Sequence, residues 1–378
     1  VQQTGSNAII ICGNYKEAPL LPAVIKTDGV IISSLVSWTN LYPEIAYVLF
    51  TSGSSGQPKG VLITNENIIA FISWFKNNFP VSERSIFINQ ASFLFDISLA
   101  DLFGTLQTGG TGLFNSVSQA KGLAFFDRTQ NYKGNYWNST PSFLSLCLAH
   151  KDFTEKVFPD INCFTLSGEN LSSSLVEELS RRFPIAKIIN AYGPTETCIF
   201  ASFAEIDKEM LTESFLPITK TPTQNISVEN DEIVITGSQV GKGYLNGISF
   251  NGKFNTGDLA REKNNFIYCK GRRDEQIKFN GYRIELSEIK RALENFDFVK
   301  RAECIPITVD GKIKRLVAFV KLEGNTATGI SAIKQGLAYT LPAYMIPGEI
   351  ISMNEFPLTA SSKTNKEKLL QIYLDPKS

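Results

Sequence analysis

A single histidine, His150, in 378 residues excludes a multi-histidine metal site and leaves histidine acid–base chemistry one candidate. The six cysteines, Cys12, Cys147, Cys163, Cys198, Cys269 and Cys304, include no CxxC pair. Scattered in this way, they read as reduced core or pocket residues of a cytoplasmic protein rather than a disulfide framework. Charge of one sign is also missing: 37 Lys plus Arg balance 37 Asp plus Glu. No global field favours nucleic acid or an anionic membrane, so no nucleic-acid partner is expected. No apolar run approaches the eighteen or so residues of a membrane span, and no signal peptide opens the chain, so no membrane insertion is expected. The sequence begins at Val1 without a methionine, which reads as a fragment or a chain lacking an amino-terminal piece. What remains is 43% hydrophobic and 20% charged, an ordinary globular composition. At about 150 residues per domain, the length predicts two or three domains. Catalysis has to rest on lysines, carboxylates and backbone amides.

Residues 46–50 form an apolar strand pattern that runs into Thr51-Ser-Gly-Ser-Ser-Gly-Gln-Pro-Lys-Gly60, and a second apolar run, 61–63, follows. The loop is therefore expected to join two strands. Ile68, Phe71, Ile72 and Phe75 stand at i, i+3, i+4 and i+7, predicting an amphipathic helix over 67–79. Ser174-Leu-Val-Glu177 has the form of a capping box, opening a helix with Leu175, Val176, Leu179 and Phe183 on one face and stopping at Pro184. A strand over 185–189 then feeds a turn, Asn190-Ala-Tyr-Gly-Pro-Thr-Glu196. This rhythm is that of a layered α/β domain, whose ligands sit beyond the carboxyl ends of strands. After about residue 215 short antiparallel strands are expected, at 233–236 and 266–269. Beyond Gly271 a helix at 287–296, a strand at 316–322 and a helix at 330–341 predict a small α+β unit. The expected organisation is a large α/β domain over 1–273, with a β-rich part at 215–270, and a small lid domain over 274–378.

The loop at 51–60 is the strongest chemical signal. Three glycines, with three serines and a threonine, offer backbone N–H groups and hydroxyls with little side-chain bulk, and Lys59 adds charge. Such a loop can wrap phosphate oxygens. It is not a Walker loop, which needs Gly-Lys followed by Ser or Thr and a helix. By composition alone a flexible surface hairpin is the alternative.

The run Tyr47-Val-Leu-Phe-Thr-Ser-Gly-Ser-Ser-Gly-Gln-Pro-Lys-Gly-Val61 resembles the phosphate-loop signature of the adenylate-forming superfamily, which includes acyl-CoA synthetases, luciferases and nonribosomal adenylation domains. Four further motifs occur in that family's order: Phe95-Asp-Ile-Ser98, Tyr192-Gly-Pro-Thr-Glu196, Thr256-Gly-Asp258 and Gly271-Arg-Arg-Asp-Glu-Gln-Ile-Lys278. A late lysine, Lys363, completes the set, so the resemblance runs from about residue 46 to the end.

The resemblance implies ATP and Mg²⁺ as cofactors. It implies ATP contacts from Thr51, Ser52, Gly53, Ser54 and Lys59, from Asn190, Ala191, Tyr192, Gly193, Pro194 and Thr195, and from Asp258, Arg272 and Lys363. Tyr192 can lie flat against adenine, with a buried core tyrosine as the alternative. Thr195 can donate to the α-phosphate, and Glu196 resembles the carboxylate that holds Mg²⁺, a hard cation suited to oxygen ligands. Asp258, acceptor-only when ionised, suits two ribose hydroxyls; without the family it is a turn aspartate after Gly257. Arg272 adds a fixed fork of donors. Lys363 is the implied catalytic residue, stabilising charge on the α-phosphoryl group. Its neighbours depart from the family pattern: Ser362 replaces the usual glycine, and Asn365 the usual aspartate. The family also implies a hinge at Asp274.

Asp96 separates branches of the family. It is a lone carboxylate in an apolar run, and a buried carboxylate needs a partner, of which a substrate ammonium is the natural one. A capping aspartate is the alternative. Amino-acid-activating members place an aspartate at the matching position. Ser139-Thr-Pro-Ser-Phe143, Phe183-Pro-Ile-Ala-Lys187 and Gly281-Tyr-Arg-Ile-Glu-Leu286 resemble the D-alanine:carrier-protein ligase group. That likeness implies a small amino acid substrate, D-alanine first, and a phosphopantetheinylated carrier protein as partner. Ser167 stands where that group usually has a pocket cysteine. Ile199 matches a family position that touches the substrate and would shorten the pocket. An acyl-CoA ligase and a non-catalytic nucleotide-binding relative are the alternatives.

Overall fold

The computed structural model describes residues 44–51, 59–115, 123–212, 216–219, 225–245, 247–274, 276–309, 312–323, 326–358 and 364–375, with the backbone of three earlier strands. These strands, β1 (Ala8–Cys12), β2 (Ala23–Thr27) and β3 (Val30–Ser34), pair antiparallel in the order β1-β3-β2. The chain divides into two compact units, one of residues 1–51 and 59–273, the other chiefly of residues 274–378.

In the larger unit β4 (Ile45–Thr51) and β5 (Lys59–Thr64) pair antiparallel, with Thr51 opposite Lys59 where the glycine-rich loop leaves and returns. Helix α1 (Asn65–Asn78) follows at once. Thr64 caps it, accepting from Asn67 N at 3.1 Å while its own N–H donates to Asn67 Oδ1 at 2.8 Å. Asparagine thus closes a capping box usually closed by Glu or Gln. Next come β6 (Ile86–Asn89), α2 (Ile97–Thr108), β7 (Thr111–Phe114), α3 (Leu123–Asn131), β8 (Tyr136–Ser139) and α4 (Pro141–Leu148). Then β9 (Cys163–Leu166), α5 (Ser173–Arg182), β10 (Lys187–Tyr192) and β11 (Ser202–Glu205) complete a six-stranded sheet of order β11-β10-β9-β8-β6-β7. All its pairings are parallel except β10 with β11.

The strands alternate between two buried cores, because successive side chains point to opposite faces. Phe87, Tyr136, Cys163, Ile189 and Ala191 join the core of α1, with Phe71, Trp74 and Phe75. Ile88, Trp137, Phe164, Leu166 and Ile188 join the other core, with Leu175, Val176, Leu179 and Phe183 of the α5 segment. Both faces are covered, as a parallel sheet requires.

Two sequence expectations shift here. Helix α5 starts at Ser173, capped by Ser172 without a side-chain bond, so the box from Ser174 to Glu177 does not form. Ser174 is already a helical residue, and only a residue with extended backbone can cap. Strand β10 starts at Lys187 and runs through Tyr192, so Asn190, Ala191 and Tyr192 are strand rather than turn. Ile185, expected in the strand, is 77% exposed, in the bend after Pro184 closed by Ala186 N donating to Phe183 O.

The β-rich part is a sheet of order β12-β17-β16-β14-β13, from β12 (Ile218–Thr219), β13 (Asn225–Glu229), β14 (Glu232–Thr236), β16 (Lys253–Lys263) and β17 (Phe266–Arg272). The short β15 (Gly243–Tyr244) pairs instead with β5. In the second unit β18 (Gln276–Phe279) and β19 (Tyr282–Glu285) form a hairpin ahead of α6 (Leu286–Glu294). A three-stranded sheet of β20 (Val299–Val309), β21 (Lys312–Leu322) and β22 (Glu349–Ser352) carries α7 (Thr326–Thr340) and α8 (Lys366–Leu374). The architecture is the layered α/β fold with a β-rich part and a following α+β unit.

Candidate active site

The carboxyl ends of β6, β8, β9 and β10 lie along one edge of the sheet, where an α/β sheet places its ligands. Ser167 follows β9 directly, buried, its N–H donating to Ser139 O at 3.1 Å. Asn190, in β10, donates from Nδ2 to Pro217 O at 3.0 Å, which ties this edge to the approach of β12.

Tyr192 ends β10, and Ala201 N donates back to its carbonyl at 2.7 Å, closing residues 193–200 into a tight loop. Cys198 and Ile199 both adopt the left-handed region, φ 58° and 76°, to make that reversal. Left-handed backbone is an outlier for β-branched Ile199, and each such residue costs about 1–3 kcal/mol unless packing holds it. Ile199 is 2% exposed and packs in the α1 core with Phe71 and Phe200. Gly193 makes the loop possible. A Cβ there would lie 2.3 Å from Ile199 O and 2.8 Å from Phe200 Cα, both backbone. Gly193→Ala should therefore lower stability by about 1–3 kcal/mol, because the clash is with backbone and cannot be relieved by a rotamer. Thermal unfolding checks it, and an unchanged Tm would mean the loop has slack.

Tyr192, Asp258 and Arg272 come together. Asp258 and Arg272 are register partners across β16 and β17, and opposite residues share a face. Arg272 Nη1 lies 2.7 Å from Asp258 Oδ1, and the Tyr192 hydroxyl donates to Oδ2 at 2.5 Å. Burial, and then the Asp258 charge, push the Tyr192 phenol well above its usual range, so it remains a donor. Glu232 braces the same turn, accepting from Gly257 N at 2.8 Å and pairing with Arg273 at 3.0 Å.

Glu196 is fully buried, in a 3₁₀ turn over Thr195–Thr197. Tyr244 donates its hydroxyl to Glu196 Oε1 at 2.8 Å, and Lys59 Nζ stands 5.3 Å from the centre of the Tyr244 ring. The base of the glycine-rich loop is thus linked to Glu196 through one tyrosine by cation–π and hydrogen-bond contacts. Thr51, Lys59 and Glu196 supply oxygen acceptors, a hydroxyl and a cation, a set that suits phosphate and a hard metal ion. No group of three or more His, Cys, Asp or Glu that could alone hold a metal occurs among the described residues.

Asp96 occupies the N-cap position of α2, but its side chain makes no capping hydrogen bond. Burial is the main cause that raises the pKa values of two of its neighbours, Tyr47 of β4 and Cys198, and the Asp96 charge adds a smaller push to each. Tyr47 donates to Cys198 Sγ at 3.9 Å, and burial pushes the Cys198 thiol up to about 12. The five cysteines whose side chains are described are free thiols.

The structure brings Tyr192, Asp258 and Arg272 into one cluster, Lys59 and Glu196 into a second, and Asp96 beside the Cys198–Ile199 kink. Ser167 joins them only by lying on the same sheet edge. Ser52, Gly53, Ser54 and Lys363 lie outside the described residues. Asp274 follows the last residue of the larger unit and accepts from Gln276 N at 3.2 Å. Tyr47, Tyr244 and Glu232 join these clusters from outside the candidate residues. Tyr47 opens the quoted loop motif and could have been found there; Tyr244 and Glu232 carry no local signal.

A fold of this kind with phosphate-binding chemistry at the strand ends defines a nucleotide-dependent enzyme. A family model for AMP-binding enzymes matches residues 38–245. The D-alanine–D-alanyl carrier protein ligase of Bacillus licheniformis is 35% identical over 378 residues, covering 92% of this chain and 75% of that protein. The ligase of the same description from Lactococcus lactis is 34% identical, covering 86% and 69%. The chain belongs to the AMP-binding enzyme family and is an adenylate-forming ligase. The adenylation domain AlmE of Vibrio cholerae, solved with glycyl-adenosine-5'-phosphate, superposes with a TM-score of 0.77 at 23% identity, covering 90% of this chain and 68% of that one. The o-succinylbenzoate CoA synthetase of Bacillus subtilis superposes with a TM-score of 0.75 at 22% identity, covering 90% and 72%. The fold therefore serves amino-acid and CoA chemistries alike, and the choice rests on side chains. No helix among the described residues is long and apolar enough to cross a membrane.

Proposed function

We propose that the protein activates a small amino acid, D-alanine first, as its adenylate and then transfers it to the phosphopantetheine thiol of a carrier protein. The observation that carries this reading is Asp96, a carboxylate at the start of a helix whose neighbours Ile97 and Leu99 pack against the core that holds Ile199. One carboxylate among apolar side chains suits a small side chain and an α-ammonium, and not a fatty acid. The 35% identity to ligases described as acting with D-alanine and a carrier protein supports it.

In the first half-reaction a carboxylate oxygen of the amino acid attacks the α-phosphorus of ATP, and pyrophosphate leaves. In this reading Thr51, the residues after it and Lys59 receive the phosphates. The ring of Tyr192 faces adenine, and Asp258, oriented by Tyr192 and Arg272, accepts from the ribose hydroxyls. Thr195 donates to the α-phosphate. Glu196 would hold Mg²⁺, which when bound neutralises charge on the phosphates. Lys363 meets the negative charge developing at the α-phosphoryl group. In the second half-reaction the thiol sulfur attacks the carbonyl carbon and AMP leaves. A swing about Asp274 between the two halves belongs to the same proposal. So does a cytoplasmic site of action, in keeping with the free thiols.

Pyrophosphate exchange with D-alanine, L-alanine, glycine and serine tests the reading, with competition between CoA and a pantetheinylated carrier for the second half. D-alanine is expected to be turned over best. Ser167, smaller than the cysteine usual in the D-alanine group, relaxes the filter, so Ser167→Cys should raise the D/L ratio by about tenfold, a discrimination of about 1–3 kcal/mol for one small group. An unchanged ratio removes Ser167 from chiral selection. Turnover of none of the four acids, but of a larger or aromatic one, overturns the small-pocket reading.

A further inference from the structure

Beneath Asp96 lies a polar cluster with no part in the chemistry above. Asp101 stands on α2, five residues beyond Asp96, and is 1% exposed. Its carboxyl accepts from two amides: Asn89 Nδ2 reaches Oδ2 at 3.1 Å, and Asn138 Nδ2 reaches Oδ1 at 3.2 Å. Asn89 and Asn138 are register partners at the carboxyl ends of the parallel strands β6 and β8. Asn138 Nδ2 also donates at 3.0 Å to the carbonyl of Ile97, the residue after Asp96. Asn89 is held in turn, its carbonyl accepting from Asn115 Nδ2 at 2.6 Å. Three buried side chains thus tie the first turns of α2 to two strand ends.

Burial pushes the Asp101 carboxyl up to about 8, against the two amides that pull it down. It is therefore a neutral acid at neutral pH, and the cluster is a network of hydrogen bonds rather than an ion pair. A residue needed only to fill space under α2 would be better apolar, since a buried polar group has to be fully satisfied merely to break even. A polar network there fixes direction: hydrogen bonds have geometry and apolar contacts do not.

We propose that Asp101, through Asn138 and Asn89, is a positioning residue that holds the first turn of α2 so that the Asp96 carboxylate meets the substrate's α-ammonium. This rests on the reading of Asp96 given above. Asp101 itself touches no substrate.

The experiment is a double-mutant cycle in pyrophosphate exchange with D-alanine, using Asp101→Leu, Asp96→Asn and the pair. Asp101→Leu is expected to raise KM for D-alanine about tenfold, the worth of a misaligned charged hydrogen bond, with KM for ATP within about twofold of wild type. In the Asp96→Asn background the same change should add nearly nothing, because residues acting through one contact are non-additive. Asp101→Asn, which keeps the shape and one of the two acceptor oxygens, should raise KM less than Asp101→Leu does. Equal rises in both Michaelis constants, a loss confined to kcat, or full additivity in the cycle would each overturn the proposal. If Asp96→Asn alone leaves KM for D-alanine unchanged, the reading of Asp96 fails, and the positioning role falls with it. Should Asp101→Leu not fold, Asn138→Ser, which removes the amide bound to both Ile97 and Asp101, is judged by the same split.

Discussion

Lys363→Ala is expected to slow adenylate formation by about 10²–10³-fold, about 3–4 kcal/mol, while ATP still binds. The charge on the α-phosphoryl oxygens grows as the carboxylate attacks, and a donor aimed at that growing charge lowers the barrier more than it tightens the ground state. The described residues on either side of 359–363 are themselves well anchored. Leu358 and Thr364 form an antiparallel bridge, and Arg301 Nη2 donates to Thr364 Oγ1 at 2.8 Å. Lys366 pairs with buried Glu303 at 3.3 Å. Asn365, where the family usually has aspartate, caps α8 by accepting from Lys368 N at 3.0 Å. Asparagine caps as well as aspartate, so this departure leaves the anchor intact. Single-turnover adenylation, run beside equilibrium ATP binding, separates the two effects. A rate within twofold of wild type would remove Lys363 from the mechanism.

Asp96→Ala is the second large effect, a loss of about 3–5 kcal/mol in kcat/KM for the amino acid, a few-hundredfold or more. Removing the carboxylate leaves the substrate ammonium buried without its partner, and that penalty exceeds the worth of the contact itself. Thermal unfolding of the variant, measured beside its kinetics, separates this effect from a folding defect. The Asp96 side chain makes no capping bond to α2, and Asp101 and Asn138 hold the helix independently. Tm should therefore change little while kcat/KM falls. Burial, far more than the Asp96 charge, raises the Tyr47 and Cys198 pKa values, so both groups should stay neutral in the variant. A strongly reduced Tm with unchanged KM would make Asp96 structural.

The loop, the order of the motifs and the helical spacing of Ile68, Phe71, Ile72 and Phe75 were legible because each is a local pattern. The structure buries both faces of the sheet of β6, β8, β9 and β10, whose sequences show no apolar–polar alternation. Element ends were less legible. Helix α5 begins one residue ahead of its apparent cap pattern at Ser174, and β10 starts late, because pairing with β9 rather than local propensity sets its span.

By itself the sequence determined the family, the layered α/β class and the residue types available for phosphate and ammonium. These depend on short-range order, which the linear chain carries in full. Tertiary structure alone decided which of those groups meet. Asp258 faces Arg272 through a strand register that slips between Leu259 and Ala260, and no local pattern announces that slip. Tyr244 reaches Glu196 across 48 residues because β15 adds to β5. Asp101, one more aspartate on an amphipathic helix in the sequence, becomes a neutral acid because two distant strands end beside it. Desolvation is a property of the surroundings, and the surroundings exist only once the chain has folded.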